Sequence, residues 1–253
     1  MSERATIEAG TGSAVDACVD AIRTQILGGA LAPGERLPPE RTLAETLGVN
    51  RLTLRSALAR LAASRLVSVR QGSGYVVRPW RREGGPDILD GVAALARSSE
   101  DKCAVVADLL LVRRRIASAV IERLASGVSD EARRDVAAAV ARFAALAHGG
   151  DLDAIVAADL DVMRAVAAAT GSPVFVLCMN PVADVLRTMP GLREAMFESP
   201  RQSVAGYEAL LAWLAAPSAE TGAAIVSVLE AIDARTLERF GAALGARRAR
   251  RRS

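Results

Sequence analysis

The sequence predicts a mainly α protein of two domains, in which one β-hairpin follows the first helices and an all-α bundle of six or seven helices comes after it. Three observations predict this class. Apolar residues recur at helical spacing through most of the 253 residues. Strict alternation is confined to 66–77. A segment rich in proline and glycine, 79–86, predicts a linker. The predicted domains are therefore 1–78 and 87–245, and an arginine-rich tail covers 246–253.

The N-terminal domain is predicted to begin with a helix over 15–27. A short extended segment follows, and Pro39 is suited to the start of the next helix. The window ERTLAETLGVNRLTLRSALARL then predicts two helices with Gly48 at the corner, where glycine adopts a left-handed backbone at little cost. Asn50 is suited to cap the second helix of this pair.

That second helix has a basic outer side. Residues 48–61 include three arginines and no acidic residue, whereas a solvated helix face usually mixes charges of both signs. Its leucines are predicted to face the core, so that Arg51, Thr53 and Arg55 project from the first turns. A helix-turn-helix recognition helix contacts base edges and phosphates with such residues. The alternative is an ordinary helical hairpin with a basic face.

The alternating run 66–77 predicts a β-hairpin around Gln71 and Gly72. A hairpin that directly follows a helix-turn-helix is a wing, so this part of the chain is predicted to be a winged helix-turn-helix domain. The tip holds Arg70 and glycines that permit close approach to a phosphate backbone. A hairpin without any DNA contact is the alternative.

Charge is distributed unevenly along the chain. Residues 1–85 carry a net charge of +4 and the last seven residues carry +5, which leaves −6 for the part between, because the whole chain is at +3. Attraction for phosphate is therefore expected at the two ends. The tail 246–253 is either an arm that touches DNA or a solvated terminus without a role.

Several classes of protein are not supported by the sequence. The three cysteines are scattered without metal spacing, and the single histidine, His148, offers no acid–base dyad for an enzyme. No cofactor motif is present. No apolar run approaches membrane-spanning length, and the acidic Glu3 and Glu8 argue against a signal peptide, so we expect a cytoplasmic protein that does not bind membranes.

The run I-x-x-G-x-L-x-P-G-x-x-L-P-x-E-R-x-L-A-E-x-L-G-V-x-R-x-T-L-R-x-A-L-x-x-L, followed by the glycine-rich wing, resembles the winged-helix domain of GntR-family bacterial transcription regulators over residues 15–78. The resemblance implies a homodimer that binds a palindromic operator in double-stranded DNA. It also implies the DNA-contacting residues Arg41, Asn50, Arg51, Leu52, Thr53, Arg55, Gln71 and Gly72. Leu52 departs from the polar residues often found at its position, so it would contact a thymine methyl group or nothing.

An all-helical second domain is similar to the FadR-like class of this family. Most members of that class hold a metal ion with an Asp-x-x-x-His helix and two later histidines. Here Asp159 is present, but Met163 and Tyr207 stand at two of the histidine positions. One carboxylate and a thioether do not hold a divalent ion, so the sequence predicts no metal site.

The remaining resemblance is to the fatty-acid-responsive member of the class. It rests on GGPDILDGVAAL, LLLVRRRIASAVI, AADLDVMRAVAAATGSP and GYEALL, and it implies an acyl-CoA or fatty-acid-derived effector. The predicted effector-binding residues are Arg113, Asp159, Met163 and Tyr207. The alternative effector is a small organic acid bound without metal. Arg113 lies beside the apolar stripe of its helix, where it either binds an effector anion or forms a structural ion pair, with Asp159 or Glu122 as possible partners.

Overall fold

The computed structural model describes residues 13–70, 74–96 and 98–250. The chain forms two compact units, Met1–Leu95 and Ala96–Ser253. The second begins beyond the predicted linker 79–86, because buried Ile88 and partly buried Val92 and Leu95 pack against the core of the first unit.

The first unit contains five helices and two strands among its described residues. They are α1 Ala14–Leu27, α2 Glu40–Leu47, α3 Arg51–Ala63, β1 Val67–Arg70, β2 Gly74–Val77, α4 Trp80–Glu83 and α5 Leu89–Ala94. Gly48 ends α2 in the left-handed conformation, with φ of 67°. Asn50 caps α3 by accepting a hydrogen bond at 2.8 Å from the backbone N–H of Thr53. The predicted roles of Gly48 and Asn50 in the turn are confirmed.

The hairpin is antiparallel, with Val67 paired to Val77 and Arg70 paired to Gly74. A third segment, 34–37, lies along the other edge of β2. Its backbone bonds run from the N–H of Leu37 to the carbonyl of Tyr75 at 2.9 Å, and from the N–H of residue 77 to the carbonyl of residue 35 at 2.9 Å. Because a two-stranded hairpin is marginal alone, this pairing anchors the wing.

The second unit contains seven helices among its described residues. They are α6 Ser99–Leu124, α7 Asp130–Leu146, α8 Leu152–Ala168, α9 Pro173–Thr188, α10 Pro190–Met196, α11 Pro200–Ala215 and α12 Ala219–Arg250. Side-chain caps at Ser98, Ser129 and Asp151 begin α6, α7 and α8. The helix α12 continues to Arg250, so most of the predicted tail 246–253 belongs to it, and the last three residues lie outside the described chain.

The predicted fold class is confirmed: a winged helix-turn-helix precedes an all-α bundle. The bundle core is built around Phe143, Leu124, Leu192 and Leu214, each at most 1% exposed. Across the described residues, no helix combines the length and the apolarity that crossing a bilayer requires.

Candidate nucleic-acid interface and ligand cavity

The first turns of α3 present a mixed basic and apolar surface. Leu54 and Leu58 bury one side of the helix at no more than 1% exposure. Arg51, Leu52 and Arg55 are exposed on the other side, and Leu52 reaches 75%. Guanidinium groups donate hydrogen bonds to phosphates and to guanine, and an exposed leucine offers apolar contact to a thymine methyl group. This face can therefore bind a nucleic-acid groove.

Two of the predicted arginines already have carboxylate partners. Arg55 donates from Nε to Glu40 at 2.7 Å, and Arg41 donates from Nη1 to Glu45 at 3.0 Å. Glu40 raises the pKa of the Arg55 guanidinium above its ordinary value. Both arginine side chains remain 67% exposed, and exposed pairs of this kind are weak. Each guanidinium can therefore leave its carboxylate partner for a DNA phosphate, or bind both at once.

The remaining predicted contacts differ in how much of each side chain is available. The Oδ1 atom of Asn50 is occupied by the α3 cap, which leaves its amide N–H groups as donors. Thr53 is half-buried. Gln71 and Gly72 lie outside the described residues. Val69 lies two residues before Gln71 on β1 and is 65% exposed, so the hairpin offers a second exposed apolar side chain.

The second unit contains a cavity of about 150 Å³. All four predicted effector-binding residues line it: Arg113 from α6, Asp159 and Met163 from α8, and Tyr207 from α11. The rest of its wall is mainly aliphatic and thioether side chains from α6, α8, α9, α10, α11 and α12. They include Val120, Ile121, Val162, Val166, Met179, Met196, Phe197, Leu210, Ile225, Val226, Leu229 and Ile232.

Arg113 is buried at 4% exposure, and its ion-pair partner is Asp233 on α12. The Nη2 atom of Arg113 donates to Oδ1 of Asp233 at 2.5 Å, and Nη1 of Arg114 lies 3.6 Å from Oδ2. The partners suggested from the sequence, Asp159 and Glu122, were wrong. The Nε atom of Arg113 is buried without a hydrogen-bond partner. A buried donor without a partner is costly, so this N–H would gain stability by donating a hydrogen bond to a ligand oxygen.

Asp159 and Tyr207 form a second buried polar pair. The Tyr207 hydroxyl donates to Oδ1 of Asp159. Burial raises the pKa of the Asp159 carboxyl, against the opposing effect of that hydrogen bond and of Arg113. Burial and the neighbouring Asp159 raise the pKa of Tyr207 well above its ordinary value. The phenol is therefore protonated at neutral pH. Its ring also packs edge-on against Phe143, with 5.2 Å between ring centroids.

The same residues do not fit a divalent metal ion. Asp159 already accepts from Tyr207, whose phenol keeps its proton, and Met163 supplies only a thioether. Within the described parts of the chain, no three or more His, Cys, Asp or Glu side chains are grouped so that they could hold a metal. The hydrogen bond between Tyr207 and Asp159 thus engages the two oxygen atoms that would otherwise be available as metal ligands.

Sequence reasoning missed Asp233. A signal for it exists, because Asp233 occupies the buried stripe of α12, together with Thr236 and Phe240. An acidic residue at a core-facing helical position needs a buried cation, and Arg113 was the candidate already identified. The contributions of Met196 and Ser203 to the cavity wall also went unnoticed, since neither departs from the apolar and polar pattern of its helix.

Two known family models match separate parts of the chain. Residues 15–77 match the model described as bacterial regulatory proteins, gntR family. Residues 108–231 match the FCD domain model. The first match contains the helix pair and the wing. The second contains Arg113, Asp159 and Tyr207, and it ends two residues before Asp233.

Relatives and solved structures agree with these matches. The HTH-type transcriptional regulator Mce2R of Mycobacterium tuberculosis is 48% identical over 94 residues, which cover 37% of this chain and 38% of Mce2R. The fatty acid metabolism regulator protein of Cronobacter sakazakii is 34% identical over 148 residues, which cover 58% of this chain and 59% of that protein.

The chain thus spans less than two thirds of the length of these relatives. In fold it resembles the structure of Lar, described as controlling expression of the Listeria monocytogenes agr system, with a TM-score of 0.61, 17% identity and coverage of 92% of this chain and 98% of that one. The chain therefore combines a helix-turn-helix domain of the gntR family of bacterial regulatory proteins with an FCD domain.

Proposed function

We propose that this chain is a DNA-binding transcription regulator that acts as a homodimer on a palindromic operator. The observation that carries the proposal is the exposed face of α3, where Leu52 is 75% exposed between two exposed arginines. A single exposed leucine is common on protein surfaces, so the proposal depends on the position of Leu52 beside the two arginines in the first turns of α3. In a major groove the arginines would bind phosphates or guanine, and Leu52 would contact a thymine methyl group.

The cavity of the FCD domain is proposed to bind the effector that controls operator affinity. Its wall is mainly apolar, and the buried Nε atom of Arg113 has no hydrogen-bond partner. This combination suits the hydrocarbon part of an acyl-CoA or another fatty-acid-derived ligand, with one ligand oxygen at Arg113. The name of the Cronobacter relative, a fatty acid metabolism regulator protein, supports the same class of ligand.

The size of the cavity indicates how the effector would act. A cavity near 150 Å³ accepts a ligand about as large as benzene, whereas a long acyl chain is several times larger. A long chain would therefore need the surrounding helices to move apart. A ligand that binds such a rearranged bundle better shifts the protein towards it, and the shift is limited by its differential affinity. The rearrangement would lower operator affinity.

The same size favours a second candidate, a small organic acid. A short apolar acid would fill about 150 Å³ without moving the helices, and its oxygen would bind Arg113. Asp233 already neutralises Arg113, and Asp159 lies in the same wall. Arg113 is the one basic residue among the described residues that line the cavity, so a second carboxylate on the ligand would have no cation to pair with. The candidate ligands are therefore compounds with one carboxyl group.

Fluorescence anisotropy on DNA from upstream of the gene for this chain tests both proposals. The full chain is titrated onto this DNA alone, with a long-chain acyl-CoA, and with CoA as the control for the head group; a parallel series contains EDTA. Release by acyl-CoA but not by CoA, unaffected by EDTA, is the expected result. Tight binding that acyl-CoA leaves unchanged would reject the fatty-acyl effector and keep the DNA-binding function. Equal affinity for this DNA and for unrelated DNA would reject the proposed operator.

We also expect a regulator that binds chromosomal DNA to act in the cytoplasm.

The role of Leu52 is tested with a matched variant. Leu52→Ala should lower affinity for the operator by about tenfold, because it removes apolar groups worth about 0.8 kcal/mol per buried CH2. Binding to unrelated DNA should be unchanged. Leu177→Ala removes another exposed leucine, at 66% exposure in the second unit, and should change neither. Equal operator affinity in the two variants would show that Leu52 contacts nothing.

A further inference from the structure

A stripe of side chains runs along the side of α6 that faces away from the cavity. It consists of Ala104, Asp108, Leu111, Val112, Arg115 and Ala119, which we call the α6 stripe. The first five are exposed and Ala119 is half-buried. Leu111 and Val112 are 40% and 51% exposed. The cavity-lining residues of the same helix include Arg113 and Ala117, which point to the opposite side.

The positions of the α6 stripe are mirrored about a midpoint between Leu111 and Val112. Ala104 and Ala119 lie at equal distances from that midpoint, and so do Asp108 and Arg115. At 100° per residue, all six positions fall within about 50° of one line along the helix. The apolar pair is therefore central, an acid and a base flank it at mirrored positions, and small residues lie at both ends.

We propose that the α6 stripe is a two-fold interface, in which α6 packs antiparallel against α6 of a second copy of this chain. Asp108 then faces the partner subunit's Arg115, Arg115 faces the partner's Asp108, and the two Leu111–Val112 pairs meet at the axis. A two-fold interface must complement itself. The opposite charges on the α6 stripe meet that condition without help from another protein.

The charges on the α6 stripe are available for such contacts. Within the described parts of the chain, neither Asp108 nor Arg115 forms an ion pair or hydrogen bond, whereas exposed Arg164 pairs with Asp161 at 3.4 Å on α8. Beyond the α6 stripe, Asp101 and Glu122 are both acidic and would face each other across the axis. They limit the paired length to the turns from Ala104 to Ala119, so neighbouring surface must complete a stable interface.

The inference rests on the proposed homodimer and adds its location. It also places the dimer contact and the ligand cavity on opposite sides of one helix. A ligand that shifts α6 through Arg113 would therefore change the angle between the two copies. Dimerisation can be measured without DNA or effector. Its result is therefore distinguishable from a failure of the proposed operator binding or of the proposed effector binding.

Charge exchange is the primary test, by sedimentation velocity of the full chain over a range of concentrations. Asp108→Arg and Arg115→Asp should each weaken the dimer by about tenfold or more, because each change places like charges together twice across the axis. The double variant D108R/R115D should recover most of the affinity, since the charges are complementary again. Arg142→Asp reverses an exposed charge on α7 and should have no effect. Circular dichroism checks that each variant is folded.

Cysteine crosslinking is the second test, because the exposed Val174, Leu177 and Cys178 on α9 offer a competing apolar face. In a Cys178→Ser background, Leu111→Cys should form a disulfide-linked dimer under mild oxidation. Crosslinking through Cys178 of the unaltered chain, without crosslinking at position 111, would assign the interface to α9 and overturn the proposal. A monomeric chain, or single charge reversals that leave the dimer intact, would overturn it as well.

Discussion

Arg113 and Asp233 provide the sharpest test of how the bundle is held together. Their side chains are 5% and 3% exposed, and they lie 120 residues apart on α6 and α12. Arg113→Met keeps an unbranched, mainly apolar side chain and removes the guanidinium with its charge. Asp233→Leu keeps the branch at Cγ and replaces the carboxylate with methyl groups. Single and double variants together form a cycle that isolates the interaction between them.

The magnitudes follow from burial. Arg113→Met leaves the Asp233 carboxyl buried, and removal of one member of such a pair costs about 3–5 kcal/mol of unfolding free energy. Asp233→Leu leaves the guanidinium buried and should cost a similar amount. The double variant has neither charge, so we expect it to lie within about 1–2 kcal/mol of the unaltered protein or above it. The coupling should therefore reach about 3 kcal/mol or more.

The Arg113→Met variant also has a predicted pH dependence. Burial raises the pKa of Asp233, and Arg113 opposes that effect, so removal of Arg113 raises the pKa further. A carboxyl whose pKa is higher in the folded state takes up a proton on folding, and the resulting stability is lost as pH rises through the raised value. The penalty of Arg113→Met should thus be smallest near about pH 4, the ordinary carboxyl pKa, and grow with pH. The Asp233→Leu variant lacks this carboxyl, so its own stability should not contain the loss with rising pH that the carboxyl causes.

Urea unfolding followed by tryptophan fluorescence measures these effects. In a Trp80→Phe background, Trp213 is the single tryptophan and reports on the bundle, because it is 6% exposed in the core of the second unit. Separating the bundle in this way matters, since two units need not unfold as one. If the double variant lost as much unfolding free energy as the two single variants together, the coupling would be zero. That result would refute the buried ion pair as a source of stability.

The other predictions concern the helix pair and the cavity. Arg55→Ala should abolish operator binding without lowering thermal stability, because its pair with Glu40 is exposed; Arg142→Ala is the control, and normal operator affinity would remove Arg55 from the interface. Gly48→Ala should cost about 1 kcal/mol, because Gly48 has φ of 67°, and an unchanged melting temperature would contradict that strain. In a pH titration of tyrosinate absorbance, Tyr207→Phe should leave the change near about pH 10 unaltered. The reason is that the pKa of the Tyr207 phenol lies well above its ordinary value. A smaller absorbance change in this variant would show that Tyr207 ionises normally.

The helix pair and the hairpin could be predicted because their signals are local. Gly48 and Asn50 are adjacent to the turn they form, and the alternation over 66–77 belongs to one continuous run. The exposed side of α3 followed from the helical period alone. The short helix α10 was not predicted, because its seven residues lie between two helices rich in the same apolar types.

Contacts between distant residues were not predictable in the same way. The pairing of 34–37 with β2 depends on backbone groups, which any sequence supplies. The four predicted effector-binding residues were identified through family resemblance, and their position in one cavity wall depends on how three helices pack together. The choice of Asp233 over Asp159 as partner of Arg113 depends on how α6 and α12 align, which the period of either helix alone does not fix.

The attachment of the wing has a consequence for the order in which the first unit folds. Arg36 bridges Val76, so the sheet joins residues about 40 positions apart, with α2 and α3 between them. Closing a loop of that length costs entropy before the strand contacts repay it. We therefore expect the pairing of 34–37 with β2 to gain protection from hydrogen exchange after α2 and α3 have docked, whereas the hairpin of β1 and β2 can form locally.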